Sequence, residues 1–98
     1  MSNRSPDNKL FTATRNGHEE VLRRYIAAGG DLNIIDHDGW TLLMHAAVHE
    51  QASIVRILLE AKADPRISDE FGVTAHSIAL KRGFTEISTL LQQAAASG

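Results

Sequence analysis

The chain reads as an all-α solenoid of three helix-turn-helix units joined by short hairpin loops. Two observations predict it. Like residues recur every 33 positions, and each unit carries apolar stripes of helical period bounded by turn and capping residues. Adding 33 to Asp36, Gly39, Thr41 and Ala46 gives Asp69, Gly72, Thr74 and Ala79. Subtracting 33 from Leu43, Ala46 and Asp64 gives Leu10, Ala13 and Asp31. A fixed period of this size marks stacked units, none of which can bury its apolar face alone.

Each unit makes local sense. In DHDGWT and DEFGVT, the Asp side chain accepts from backbone two residues on, and Gly permits positive φ in a tight turn. Thr41 and Thr74 then stand as N-caps, each hydroxyl accepting from an otherwise orphaned N–H. A first helix of about two turns follows and breaks near Gly17, Gln51 or Gly83. A longer second helix comes next, over roughly Glu19–Ala28, Ala52–Ala61 and Thr85–Ala95. Gly29-Gly30 ends the first of these.

The second helices differ in how much apolar surface they carry. Ile54, Val55, Ile57, Leu58 and Leu59 wrap most of the middle one, as a helix with neighbours on both sides requires. The last has only Ile87, Leu90 and Leu91, and the first has Val21, Leu22, Tyr25 and Ile26 opposite Glu19, Glu20, Arg23 and Arg24. The pattern predicts one interior unit between two capping units, a complete array forming one domain over 1–98 with repeats at about 7–35, 36–68 and 69–95.

Composition excludes several classes. The chain has 98 residues, 43% apolar and 22% charged, values ordinary for a globular domain. A net charge of −2 gives no drive toward nucleic acid or an anionic membrane. Without cysteine, disulfides and thiolate metal sites are out of reach. MSNRSPDNK at the N-terminus is polar and lacks a secretory h-region, and no apolar run approaches a membrane span, so a cytoplasmic monomer is expected.

These motifs resemble the ankyrin repeat family, whose pattern runs approximately D-x-x-G-x-T-P-L-H-x-A-A-x-x-G-H-x-x-V-V-x-x-L-L-x-x-G-A-D-x-N. The match is DHDGWTLLMHAA…IVRILLEAKADP in the middle unit, LFTATRNGHEEVLRRYIAAGGDLN in the first and DEFGVTAHSIALKRGFTEISTLL in the last. It covers about Asp7 to Gln93. Departures are visible. Leu42 and Ala75 replace the family's Pro, Met44 and Ser77 its His, and Glu50-Gln51 and Gly83-Phe84 its Gly-His. Pro65 stands where the family has an apolar residue, so an irregular second hairpin is expected.

The resemblance implies stacked antiparallel helix pairs with hairpin fingers projecting from one end, and binding of a protein partner through fingertips and the concave face of the first helices. The corresponding positions are Ile35, His37, Asp38 and Trp40, then Ser68, Glu70, Phe71 and Val73 on the fingers. On the first helices they are Arg15, Asn16, Val48, His49, Lys81 and Arg82. Trp40, Phe71, Val73, Ile35 and Val48 would form an apolar patch rimmed by polar groups, the usual mark of an interaction site. Such a patch buries about 600–800 Å² per side. The alternative for Trp40 is that its indole lies on its own hairpin. If it serves binding, Trp40→Ala should leave the melting midpoint nearly unmoved. The resemblance also places Asn33 where some ankyrin proteins are hydroxylated; the alternative is that Asn33 supports its turn.

Other readings are weaker. His45 and His49 stand i, i+4 on one helix, a spacing that can present two imidazoles to a metal, but no third ligand is evident and no cofactor is expected. Arg23-Arg24 and Lys81-Arg82 are expected to form solvated faces with Glu19, Glu20 and Glu86. No phosphate-binding or nucleophile motif appears, so the chain is not expected to be an enzyme. The reading is a non-catalytic protein-binding module, an adaptor, inhibitor or immunity-type binder. A self-associating scaffold is the alternative.

Overall fold

The computed structural model describes residues 6–97, so the polar N-terminus through Ser5, and Gly98, lie outside the described residues. Six helices follow in order: α1 Pro6–Asn16, α2 Glu19–Ala27, α3 Leu42–Val48, α4 Ala52–Glu60, α5 Ala75–Arg82 and α6 Thr85–Ser97. They form three pairs. The first helices stack α1 on α3 on α5, and the second helices α2 on α4 on α6. The result measures 40 × 28 × 24 Å.

The caps do what the spacing requires. The Thr41 hydroxyl accepts from Met44 N at 3.2 Å. Thr74 accepts from Ser77 N at 3.1 Å, and the Ser77 hydroxyl accepts in return from Thr74 N at 2.9 Å. Ser77, which replaces the family's His, thus closes a reciprocal capping box. Met44 replaces the same His differently, as a fully buried apolar side chain. Its thioether fills core volume where an imidazole would need a polar partner.

The breaks between helices need left-handed backbone, and Gly supplies it at Gly17 (φ +76) and Gly83 (φ +75). The middle unit has Glu50 there, at φ +55. Lys62 likewise adopts φ +75 where the first unit has Gly29 at φ +81. Both side chains bear a Cβ–carbonyl clash that glycine escapes.

Leu22, Leu42, Leu43, Ile54, Val55, Leu58, Ile87 and Leu91 make the centre of the core. The interior helix α4 buries Ile54, Val55, Ile57 and Leu58, while α2 buries only Leu22. Val21, expected in the apolar stripe of α2, is 40% exposed, because among the described residues no helix packs on the outer side of α2.

The fingers are barely β. Among the described residues there is no strand, only an antiparallel bridge between Ile35 and Thr41 in the first finger. Asx turns hold both fingers instead. Asp36 Oδ1 accepts from Asp38 N and Trp40 N at 2.9 and 3.0 Å. Asp69 Oδ1 accepts from Phe71 N and Val73 N at 2.8 and 2.9 Å. Two carboxylates that each tie down two amides explain why Asp opens both fingers.

Candidate functional site

The two fingers stand side by side and are tied at their bases. Trp40, at the end of the first, donates its indole N–H to Asp69 Oδ2 of the second at 3.0 Å. Its ring also meets the His45 imidazole edge-on, with centroids 5.3 Å apart. His45 in turn meets Phe11 of α1 at 5.1 Å, and its Nε2 lies 2.7 Å from Asp36 Oδ2. One connected group therefore joins all three units: Phe11, His45, Asp36, Trp40 and Asp69. Asn33 adds a second tie. Its side-chain oxygen accepts from Asp64 N at 2.9 Å, while its own N–H donates to Asp31 Oδ1 at 2.9 Å.

The Trp40 indole neither stands free nor lies on its own hairpin; it bridges to the next unit. Most of the predicted site residues on the fingers lie around it. Ile35, His37, Asp38, Trp40, Glu70 and Phe71 line one open depression of about 670 Å³ between the fingers. Phe71 is 82% exposed and Ile35 55%, so neither is placed by packing. His37, Asp38 and Glu70 are exposed too, and Val73 is half-buried outside the depression. Asn16, His49 and Arg82 lie elsewhere, at the far ends of the first helices.

Electrostatics divide the surface. Burial alone would raise the Asp36 carboxyl, but hydrogen bonds with His45 and with the Trp40 and Asp38 amides outweigh it and hold the group below its ordinary value. Asp69 is also held down, chiefly by the Val73 N–H, then the Phe71 N–H and the Trp40 indole, against a smaller cost of desolvation. The finger end is therefore firmly anionic. At the opposite end of the first helices, burial lowers the His49 pKa, and Coulombic interaction with His45, Arg15 and Arg82 lowers it further. Lys81 and Arg82 were expected to pair with Glu86. Glu86 instead reaches Arg56 of the neighbouring α4, leaving both cations without a carboxylate partner among the described residues. Arg23–Glu19 and Arg24–Glu20 do form i, i+4 pairs, at 3.6 and 3.4 Å.

No group of three potential metal ligands occurs among the described residues, and His45 Nε2 is already turned to Asp36. Sequence reasoning missed the bond of Asp69 to Trp40 and the roles of Gln51 and Arg56. Gln51 donates to the Arg15 carbonyl at 2.8 Å across the first interface between units. A polar residue at an inter-helix break facing the preceding unit was the available signal.

The chain belongs to the ankyrin repeat family: the family model described as ankyrin repeats (3 copies) matches residues 10–97. It is 37% identical over 93 residues to the putative ankyrin repeat protein YahD of Escherichia coli K12, a match covering 89% of this chain and 46% of that protein. Mouse protein phosphatase 1 regulatory subunit 12A is 42% identical over 71 residues, covering 71% of this chain and 7% of the relative. A crystal structure of an ankyrin repeat domain from Acinetobacter baumannii superposes with a TM-score of 0.81 at 38% identity, covering 87% of this chain and 46% of that one. The chain thus spans less than half the length of each. Repeats of this family generally mediate protein–protein interaction. No helix among the described residues is long and apolar enough to cross a membrane.

Proposed function

We propose that this chain is a non-catalytic binding module, acting in the cytoplasm as an adaptor, inhibitor or immunity-type protein that occupies a partner protein's surface. The partner sits on the fingertips and on the concave face of the first helices. The observation that carries this reading is Phe71, a large apolar side chain 82% exposed at the tip of a finger whose backbone is fixed by Asp69. Stable folding gains nothing from it there, whereas an interface buries it with little ordering cost, because the finger is already rigid. Ile35 beside the same depression extends the apolar surface.

A single observation favours self-association as a second reading. Leu80 on α5 is 59% exposed, although Ala47 and Thr14, its equivalents one and two periods earlier, are fully buried. Light scattering across a range of concentrations separates the two: a constant monomer mass supports the module, and mass growth lost in Leu80→Glu supports the scaffold.

The direct test is affinity capture from a lysate of the source cells, comparing the natural chain with Phe71→Ala and with Leu80→Glu. A partner lost only with Phe71→Ala supports the fingertip surface. A partner retained by both variants contradicts it.

A further inference from the structure

The polar groups around the fingers fall into two kinds. Asp36 and Asp69 are spent on the turns, His45 and Trp40. Asp38 and Glu70, exposed beside the same depression, have no side-chain partner among the described residues. These four carboxylates surround the exposed apolar faces of Ile35 and Phe71 and the half-buried ring of Trp40. Such a combination does not suit a metal ion, and no three-ligand group exists for one among the described residues. It suits an organic cation on an apolar stem, which can lie on aromatic rings while its head meets carboxylates.

A second set of charged groups lies at the far ends of the first helices. Arg15, Lys81 and Arg82 sit at the C-terminal ends of α1 and α5, where cations also complement the helix dipoles, and His49 caps α3 beside them with its charged form disfavoured. The seven residues of α3 separate this set from the fingers by about 10 Å. An extended chain covers that distance in about three residues.

Resting on the protein-binding reading above, we propose that the depression between the fingers receives a lysine or arginine side chain of an extended partner segment. An aliphatic neighbour of that residue packs on Phe71 and Ile35. An acidic residue about three to five positions away reaches Arg15 and Arg82 and fixes the direction of the segment. The opposite signs of the two ends of the surface make this order of charges the one that is attracted at both.

The test is selection of a random peptide library displayed on phage against the immobilised chain. The Asp38→Asn, Glu70→Gln double variant serves for counter-selection; both side chains are exposed and unpaired, so their neutral analogues leave the fold intact. Enriched peptides should pair Lys or Arg with an aliphatic neighbour and carry Asp or Glu at the stated distance. They should bind the natural chain about tenfold more tightly than the double variant, with the gap closing as salt rises. Enriched peptides that lack a basic residue yet are lost on Phe71→Ala would overturn the cationic occupant and leave the fingertip reading standing. Peptides that bind natural chain, double variant and Phe71→Ala alike would overturn both. No enrichment at all would also overturn the proposal, and the capture experiment would then decide the fingertip reading separately.

Discussion

The indole N–H of Trp40 donates to the carboxylate of Asp69 at 3.0 Å, joining the base of one finger to the turn of the next. Twenty-nine residues separate the two in sequence, so this bond exists only when the units are stacked. Trp40→Phe keeps the ring against His45 and removes the donor. It should destabilise the fold by about 1 kcal/mol, the net value of one such bond to a charged acceptor at a partly exposed site. In a domain of this size that is a fall in Tm of roughly 4–8 °C. Trp40→Ala should cost more, about 2–3 kcal/mol, since the half-buried ring is lost as well. A midpoint unmoved by Trp40→Ala in thermal denaturation would contradict the bridge.

Glu50 and Lys62 occupy left-handed positions at φ +55 and +75. Replacing either with Gly should stabilise the protein by about 0.5–1 kcal/mol, because relief of the Cβ clash exceeds the added freedom of the unfolded chain. The reverse change at Gly17 should destabilise it. There, φ is +76 and an added Cβ would come within 2.7 Å of Gln51 Oε1. Urea denaturation of the three variants checks both signs.

Gly30 faces the Tyr25 ring so closely that an added Cβ would lie 2.3 Å from Cζ. Gly30→Ala must push the ring aside and endanger the hydrogen bond from the Tyr25 hydroxyl to the Asp31 carbonyl, 2.7 Å long. A loss of about 1–3 kcal/mol is expected from overpacking of this kind. A near-neutral effect on the urea midpoint would mean that the ring moves freely.

Much of this architecture was legible in the sequence, and the reason is that it is local. Asp-x-x-Gly-x-Thr specifies its own turn and cap, so Asp36, Asp69, Thr41 and Thr74 could be assigned from spacing alone. Even the strain at Glu50 follows from comparison with Gly17 and Gly83. The ties between units were not legible. Trp40 to Asp69, His45 to Asp36, Arg56 to Glu86 and Gln51 to Arg15 depend on how far one unit is offset against the next, and periodicity does not encode that offset. Trp40 shows the consequence: its residue type signalled an interface, and the bond its indole makes to the next finger was not visible in the spacing. Phe71 carries the same signal with no internal partner to absorb it.

Two acid transitions should precede unfolding. His49 is held below its ordinary value by burial and by His45, Arg15 and Arg82, so the folded state takes up that proton less readily than the unfolded chain. Stability from this source is complete above the ordinary histidine value of about 6.5 and declines as pH falls through it toward the folded pKa. Asp36 and Asp69 are also lowered, so their contribution is complete above the ordinary carboxylate value of about 3.9 and is lost as pH drops toward their folded pKa values. The Asp36→Asn variant should be less stable at neutral pH and flatter below pH ~4 in a pH series of denaturation midpoints. In Arg82→Ala, the His49 pKa followed by NMR should rise. An unchanged value would mean that Arg82 does not act on His49.

The fingertip account is tested most directly by amide chemical shifts of the labelled chain, recorded with and without the partner recovered by capture. The account predicts perturbations over 35–40 and 68–73 and at the ends of α1, α3 and α5, with Phe71 among the largest. Perturbations confined to α2, α4 and α6, with the fingers silent, would contradict it.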